Sequence, residues 1–203
     1  TDAVMLGGVM TLSSEGRTLL DIGTGSGIIS LMVAQRLSVM KSDVQFFFID
    51  AIDVDSGAAV EAAENFSASK WGDSLRSIHS SLEDYSELLR GRDFGLVCKY
   101  DVIFSNPPYF DFSLQSPDAR RAAARNSDVG LSYREIIDFA VEFLSDRGRL
   151  SLVLPSSVEG DLIGYALSRG LSPFRIVRAR SVARKAPVRI IAEFSFAHND
   201  SPE

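Results

Sequence analysis

Short apolar runs alternate with segments of helical period along most of the chain, and this alternation limits the fold more than any other feature. The strand-like runs are 17–22, 44–53, 74–80, 101–105 and 149–154, and the helical segments are 28–37, 58–68, 133–144 and 161–168. Strands joined through a helix pair in parallel, and the helices cover both faces of the sheet. The sequence therefore predicts an α/β fold with a mostly parallel sheet.

The last part of the chain predicts a different kind of pairing. Residues 174–182 and 188–196 are rich in β-branched and aromatic side chains, and the basic segment 183–187 separates them. Two strands joined by so short a connection pair antiparallel, so we expect a hairpin at the sheet edge and seven strands in all. Residues 1–13 are expected to form a short leading helix or turn, and the long polar segment 110–130 a functional loop.

Length and composition point to one domain over residues 1–203. The chain does not begin with Met, which leaves room for a missing N-terminal segment. No apolar run approaches the ~20 residues that span a bilayer, and the first residues lack the shape of a signal peptide. The single cysteine, Cys98, excludes an internal disulfide. The chain has only two histidines, His79 and His198, so we expect no metal site. We therefore expect a cytoplasmic protein without membrane contact and favour a monomer.

The formal net charge is −6, which by itself argues against binding to nucleic acid. The charge is unevenly distributed, however, because residues 169–192 contain seven basic side chains and no acidic one. They are Arg169, Arg175, Arg178, Arg180, Arg184, Lys185 and Arg189. Two interpretations fit this segment equally well: an edge that binds a polyanion, or a solvated strand and loop.

A glycine-rich turn, Asp21-Ile22-Gly23-Thr24-Gly25-Ser26-Gly27, lies between the first predicted strand and the first predicted helix. Glycines allow the backbone to turn tightly and let a ligand approach the main chain. Ligands bind an open α/β sheet at the carboxyl ends of its strands. Asp53 ends the second predicted strand, with Asp50 and Asp55 nearby, and we expect its carboxylate to accept hydrogen bonds from ribose hydroxyls. Asp55 is expected to cap the next helix, 58–68, because its carboxylate can accept from free backbone N–H groups.

The spacing of the glycines separates three interpretations of this turn. A purely structural turn needs no ligand. A dinucleotide fingerprint places the third glycine one residue later, where this chain has Ile28. The spacing found here, with Asp21 before it, resembles the S-adenosylmethionine (SAM) loop of Rossmann-like class I methyltransferases, which implies SAM as the cofactor.

A second motif, Asn106-Pro107-Pro108-Tyr109, closes the fourth predicted strand. The Asn106 side-chain oxygen and the Pro107 carbonyl can each accept one N–H of an exocyclic amino group, whose lone pair is otherwise delocalised. Two acceptors orient this nitrogen toward a methyl donor and stabilise its developing positive charge. Tyr109 can stack on a planar substrate, with Phe110 as a further contact, and the paired prolines keep the loop stiff. The alternative is a rigid turn without chemistry.

Together the two motifs resemble those of Asn-Pro-Pro-Tyr methyltransferases, and further segments resemble one family, the bacterial valine-tRNA adenine-37 N6-methyltransferases. These segments are residues 1–7, 62–65, 69–73, 107–110, 113–118 and 187–189, with Arg121, Ala124 and Arg125. The resemblance implies methylation of an adenine N6 beside the anticodon of a tRNA, with SAM as the donor.

The resemblance also implies roles for individual residues. Those expected to hold the cofactor are Asp21, Gly23, Thr24, Gly25, Gly27 and Asp53. Those expected to hold the target base are Asn106, Pro107 and Tyr109. Apart from the resemblance, we expect Pro108, Phe110 and the basic Arg184 and Lys185 to be further substrate contacts. Relatives often carry an acidic residue after the third strand that contacts the cofactor adenine. Here Leu82, Glu83 and Asp84 are all candidates, and Leu82 is the working assignment.

Three other functions stay open on the sequence. The same Asn-Pro-Pro-Tyr loop serves enzymes that methylate protein glutamine at N5 or guanine at N2. The glutamine enzymes usually carry a helical substrate domain ahead of this core, and the guanine enzymes often carry a duplicated domain. The present sequence shows neither. The third is a SAM- or RNA-binding module without catalysis, against which the intact Asn106 and Tyr109 argue.

Overall fold

A computed structural model describes residues 2–12, 18–40, 46–91, 99–108 and 131–196. These residues form seven strands: β1 (Thr18–Ile22), β2 (Phe48–Asp53), β3 (Leu75–His79), β4 (Tyr100–Ser105), β5 (Leu144–Pro155), β6 (Leu171–Ala179) and β7 (Arg189–Phe196). Six α-helices fall within the same ranges: α1 (Asp2–Val9), α2 (Ile28–Val39), α3 (Ser56–Ser67), α4 (Leu82–Arg90), α5 (Tyr133–Phe143) and α6 (Glu159–Ser168). None of these six has both the length and the apolar character needed to cross a lipid bilayer.

The seven strands form one sheet in the order β3-β2-β1-β4-β5-β7-β6. Strands β1 to β5 are parallel, while β7 is antiparallel to both β5 and β6. The mostly parallel seven-stranded sheet with an antiparallel hairpin at its edge is thus confirmed. The strand order reverses between β1 and β4, which is where an open α/β sheet forms a ligand crevice at the carboxyl ends of its strands.

Apolar side chains form a core on each face of the sheet. One core packs α1, α2 and α3 against the strands and includes the buried Leu6, Val33 and Phe66. The other packs α4, α5 and α6 and includes the buried Tyr85 and Phe143. Strands β1 and β4 are buried along most of their length, as continuous apolar runs predict for strands covered on both faces.

Two elements differ most from the sequence prediction, and β6 lies three residues earlier than predicted, at Leu171–Ala179. Helix α4 is absent from the prediction, although Ser81 caps its first turn and its apolar side is buried. Strand β5 begins at Leu144 instead of residue 149, because Leu144 already pairs with Tyr100 before a register shift over the following residues. The predicted loop 110–130, Cys98 and His198 lie outside the described residues.

Helix α1 is held against the sheet by polar contacts with β6 and β7. The carboxylate of Glu193 is fully buried, accepts the backbone N–H of Thr11 at 2.8 Å and pairs with Arg175 at 2.6 Å. Asp2, the first residue of α1, pairs with Arg189 at 2.8 Å. A buried carboxylate is costly unless it is paired and hydrogen-bonded, so these contacts fix both the position and the direction of α1.

Candidate active site

The glycine-rich turn connects β1 to α2 with three glycines at positive φ, Gly23 (71°), Gly25 (55°) and Gly27 (80°). A Cβ built on Gly27 would lie 2.4 Å from the ring of Phe66 on α3, so a side chain at this position is excluded by packing. A Cβ on Gly25 would meet no described atom within 4 Å. The turn is therefore packed from below at Gly27 and open at Gly25, where a ligand can approach the backbone.

Hydrogen bonds hold the turn against β2 and α3. The backbone N–H groups of Gly23 and Thr24 both donate to the carbonyl of Ile52, at 2.9 and 3.0 Å. The Nδ2 of Asn65 on α3 donates to the carbonyl of Ser26 at 2.9 Å. With its backbone groups committed on these two sides, the turn has a defined shape before any ligand binds.

Asp21 lies fully buried beneath the turn. Its Oδ2 accepts the hydroxyls of Thr24 at 2.8 Å and Ser30 at 2.7 Å, while its Oδ1 has no hydrogen-bond partner among the described residues. Burial raises the pKa of this carboxyl to about 6; the two hydroxyls oppose the rise and the nearby charge of Asp53 adds to it. Asp21 therefore has one unsatisfied oxygen beneath the turn, and a nearby positive charge on a ligand would stabilise its ionised form.

Asp53 ends β2 beside the turn, as expected. Its Oδ2 accepts the backbone N–H of Gly25 at 2.8 Å and its Oδ1 accepts that of Asp55 at 2.9 Å. A carboxylate offers about four acceptor positions, so capacity remains for ligand hydroxyls. Asp55 has a different task, because its carboxylate caps α3 by accepting the Ala58 N–H at 2.8 Å. The predicted cap is thus confirmed.

Asp50 does not contribute to this crevice. Its carboxylate accepts the hydroxyls of Tyr85 and Tyr100, both at 2.9 Å, and pairs with Arg76 at 2.9 Å. Burial raises the pKa of Tyr85 to about 12 and also raises the pKa of Tyr100. Both phenols therefore remain protonated donors, and Asp50 serves a polar cluster that joins β2, β3, β4 and α4.

The segment after β3 lies next to the end of β2. The backbone N–H of Ser80 donates to the carbonyl of Asp53 at 2.9 Å. Leu82 begins α4 and packs, partly buried, against the apolar core. Glu83 is exposed, and the exposed Asp84 accepts the hydroxyl of Ser81 at 2.6 Å. Leu82 is therefore the apolar candidate near Asp53, and its contact with a cofactor adenine stays a prediction.

The motif that follows β4 lies beside the glycine turn. Ser105, the last residue of β4, pairs in register with Ile22, the last residue of β1. Asn106 and Gly23 therefore leave two adjacent parallel strands at the same level of the sheet. Asn106 is half-buried, Pro107 is buried and Pro108 is exposed.

Two further expected substrate residues, Tyr109 and Phe110, lie outside the described residues, so their roles stay predictions. His79 ends β3, where its Nε2 lies 3.1 Å from the carbonyl of Val54. Within the described ranges, no three or more His, Cys, Asp and Glu side chains are grouped so that they could hold a metal ion.

The basic segment divides into paired and unpaired side chains. Four arginines pair with acidic residues of the same chain: Arg169 with Asp138, Arg175 with Glu193, Arg178 with Glu159 and Arg189 with Asp2. The remaining three, Arg180, Arg184 and Lys185, are exposed and have no ion-pair partner among the described residues. They belong to the turn between β6 and β7, residues 180–188, which we call the basic turn.

Topology places the basic turn at the same edge of the sheet as the crevice. Pro155, at the carboxyl end of β5, pairs with Arg189 at the start of β7, and the Ser156 hydroxyl donates to the carbonyl of Pro187 at 2.6 Å. Neighbouring strands lie about 4.8 Å apart, so β7 begins roughly 10 Å across the sheet from β4. The exposed cations of the basic turn therefore flank the end of β4 that carries Asn106.

Curated relatives match this chain over nearly its whole length. A protein of Christiangramia forsetii is 34% identical over 99% of this chain and 78% of its own length. One of Bacteroides fragilis is 36% identical over 100% of this chain and 79% of its own, and one of Photobacterium profundum is 35% identical over 96% and 76%. All three are named tRNA1(Val) (adenine(37)-N6)-methyltransferase. No protein-family model matches the chain.

Solved structures share the fold at low sequence identity. A TehB-like SAM-dependent methyltransferase of Corynebacterium glutamicum superposes with a TM-score of 0.57 at 16% identity, covering 96% of this chain and 87% of that one. TrmK of M. capricolum, solved in complex with S-adenosyl-homocysteine, gives a TM-score of 0.60 at 11% identity and covers 96% and 67%. At these identities the likeness shows a class I methyltransferase fold.

Proposed function

The chain belongs to the tRNA1(Val) (adenine(37)-N6)-methyltransferase family, and on this premise we propose that it transfers a methyl group from SAM to N6 of adenine-37 in a valine tRNA. The observation that carries the proposal is the register between Ser105 and Ile22. This register brings Asn106 and the glycine turn to the same point of the crevice. In the proposal, Asn106 binds the amino group of the substrate. Methyl transfer requires the methyl donor and the accepting nitrogen to lie next to each other.

The residues of the glycine turn fit SAM. SAM supplies a methyl group on a positively charged sulfonium. The open backbone at Gly25 leaves room for the ligand to pass close to the main chain. The buried carboxylate of Asp21 beneath the turn supplies negative charge near the cationic part of the cofactor. The remaining acceptor positions of Asp53 suit the two ribose hydroxyls, and Leu82 offers apolar contact for the adenine.

The residues after β4 fit a planar amino group. The side-chain oxygen of Asn106 and the carbonyl of Pro107 accept its two N–H groups, so its lone pair turns toward the methyl group. Pro107 and Pro108 restrict the backbone, which preorganises both acceptors. Tyr109 stacks on the face of the flipped base, a contact worth about 1–3 kcal/mol in comparable complexes. The nitrogen loses its extra proton after transfer, so no strong base is needed.

The basic turn suits the tRNA backbone. Arg184 and Lys185 are exposed at the edge of the sheet that carries the crevice. Cations placed to the side of a base pocket contact phosphates and hold the nucleic acid in register. Because the substrate is a tRNA, we place the activity in the cytoplasm. The shared name of the relatives favours adenine N6 over guanine N2 or protein glutamine N5.

A transfer assay with labelled SAM and a valine tRNA transcript tests this function. We expect label in a transcript with adenine at position 37 and none when guanine replaces it. Asn106→Ala should reduce the transfer rate by about 100-fold or more, in line with the loss of one preorganised polar contact in a transition state. SAM affinity should change by less than about threefold.

Asn106→Asp provides the matched comparison, because it keeps the side-chain acceptor that Asn106→Ala removes. We expect measurable transfer by this variant, above that of Asn106→Ala. Equal transfer to the adenine and guanine transcripts would exclude adenine-37 as the target. Wild-type turnover by Asn106→Ala would exclude the proposed mechanism.

A further inference from the structure

We infer that Ser105 is a positioning residue, whose hydroxyl sets the glycine turn and Asn106 in their relative places; this inference rests on the proposed function. The Oγ of Ser105 donates to the carbonyl of Ile22 at 2.6 Å, and Ser105 is fully buried. Ser105 directly precedes Asn106, and Ile22 directly precedes Gly23. The bond therefore joins the two strand ends from which the substrate motif and the cofactor turn begin.

The peptide unit between Ile22 and Gly23 is held from both sides. Its carbonyl accepts the Ser105 hydroxyl from β4, and its N–H donates to the carbonyl of Ile52 on β2 at 2.9 Å. Because a peptide group is planar, fixing its oxygen and its nitrogen fixes its orientation. This one rigid group thereby connects β4, β1 and β2 at the level where the crevice opens.

Pairing between β1 and β4 ends at this level, because Ile22 and Ser105 are the last residues that pair between the two strands. On the cofactor side, Asp21 bonds to Thr24 and Ser30, which lie within the turn and α2. The Ser105 hydroxyl instead reaches across from the strand that carries Asn106. Since a misplacement of about 1 Å can slow a reaction about 100-fold, this bond matters for the rate.

Ser105→Ala and Ser105→Cys test the role, because alanine removes the donor, whereas cysteine keeps a weaker donor on a slightly larger side chain. We expect the single-turnover rate of methyl transfer to fall about 10- to 100-fold in Ser105→Ala and by a smaller factor in Ser105→Cys. The SAM dissociation constant and the KM for tRNA should change by less than about threefold. Rates within about twofold of wild type in both variants would overturn the inference, as would a loss that lies wholly in SAM affinity.

Ser195→Ala is the matched control. Ser195 is a buried serine on β7 whose hydroxyl has no hydrogen-bond partner among the described residues. The same substitution there should leave the transfer rate within about twofold of wild type. If Ser195→Ala slows transfer as much as Ser105→Ala, the effect is a general packing loss and the inference fails.

Hydrogen exchange separates this inference from the proposed function. The amides of residues 22–27 should exchange at least about 10-fold faster in Ser105→Ala than in wild type or Ser195→Ala, because the Ile22–Gly23 peptide loses one of its two anchors. Unchanged exchange would overturn the positioning role. A wild-type protein that labels no RNA would refute the proposed function, and the exchange comparison would still decide the role of Ser105.

Discussion

The carboxylate of Asp53 accepts the backbone N–H of Gly25 at 2.8 Å, which joins the end of β2 to the middle of the glycine turn. Gly25 is also the position where the turn is open to a ligand. The same carboxylate therefore shapes the turn and faces the space that the cofactor is proposed to fill. Removal of this carboxylate should therefore mainly lower the affinity for the cofactor.

We expect Asp53→Ala to weaken SAM binding by about 10- to 100-fold, because hydrogen bonds to a charged group contribute about 1.5–3 kcal/mol. Isothermal titration calorimetry measures the change directly. Asp55→Ala is the control, since Asp55 caps α3 from the exposed side. That variant should lose about 1 kcal/mol of unfolding free energy and keep its SAM affinity. Equal affinity losses in the two variants would contradict a role for Asp53 at the ligand.

SAM affinity should depend on pH through Asp21. Burial raises the pKa of Asp21 from its ordinary value of 3.8 to about 6, so the carboxylate gains a proton as the pH falls through about 6 and stops attracting a cation. We expect the SAM dissociation constant to increase below that pH. Asp21→Asn should bind more weakly and without this pH dependence between about pH 5 and 8. A wild-type affinity that is flat over the same interval would show that Asp21 does not face the cofactor's charge.

The same group makes the ligand-free protein less stable as the pH rises. The pKa of Asp21 is higher in the folded state, about 6, than its ordinary value of 3.8, so the folded state binds the proton more tightly. This contribution to the free energy of unfolding is fully present below about pH 4 and is lost as the pH rises through about 6. For a pKa shift of about two units, the loss is roughly 3 kcal/mol. Urea unfolding of wild type and Asp21→Asn across this interval measures it. Parallel pH profiles for the two proteins would contradict the expectation.

Alanine at Gly25 and at Gly27 should have different effects. Both positions have positive φ, which costs a non-glycine residue roughly 1–2 kcal/mol. At Gly27 the new Cβ also meets the Phe66 ring at 2.4 Å, and such overpacking adds roughly 1–3 kcal/mol. We expect Gly27→Ala to be the less stable protein, while Gly25→Ala stays folded and loses SAM affinity. Thermal melts and calorimetry distinguish the two, and the reverse order of stability would contradict the packing of Phe66 against the turn.

Neutralising the basic turn should weaken tRNA binding and flatten its salt dependence. In Arg184→Gln/Lys185→Gln the slope of log affinity against log salt should become shallower by about 0.7–0.9 for each phosphate that is no longer neutralised. Filter binding at several salt concentrations gives this slope. The control is Arg90→Gln/Arg169→Gln, which removes the same charge from arginines that pair with Glu142 and Asp138. An unchanged slope in the first variant, or an equal change in both, would remove the basic turn from the RNA site.

The sequence predicts those parts of the molecule that depend on local pattern. Residues that are close together in the sequence determine the alternation of strands and helices, the glycine turn and the cap at Asp55. Helix α4 has the same kind of signal, since Ser81 precedes a run in which Tyr85 and Leu89 share a face. The prediction omits this helix because it interprets the same residues only as a cofactor contact.

Contacts between distant elements explain what the sequence could not predict. Asp50 and Asp53 both lie on β2, only three residues apart. Because side chains alternate between the two faces of a strand, Asp50 contacts Tyr85, Tyr100 and Arg76 instead of the crevice. Likewise, the run of cations in 169–192 divides into paired and unpaired members only once acidic partners arrive from α5, α6, β7 and α1. Pairing of this kind depends on topology and not on local spacing.

The anchoring of α1 has a consequence for synthesis on the ribosome. Glu193 and Arg189 lie on β7, 182 residues after Thr11 and 187 residues after Asp2, and translation adds about 5–20 residues each second. The apolar side of α1, including Leu6, is therefore synthesised roughly ten seconds or longer before the residues of β7 that hold α1 in place. During that interval the nascent chain presents an unfinished surface that a chaperone at the ribosome is suited to shield.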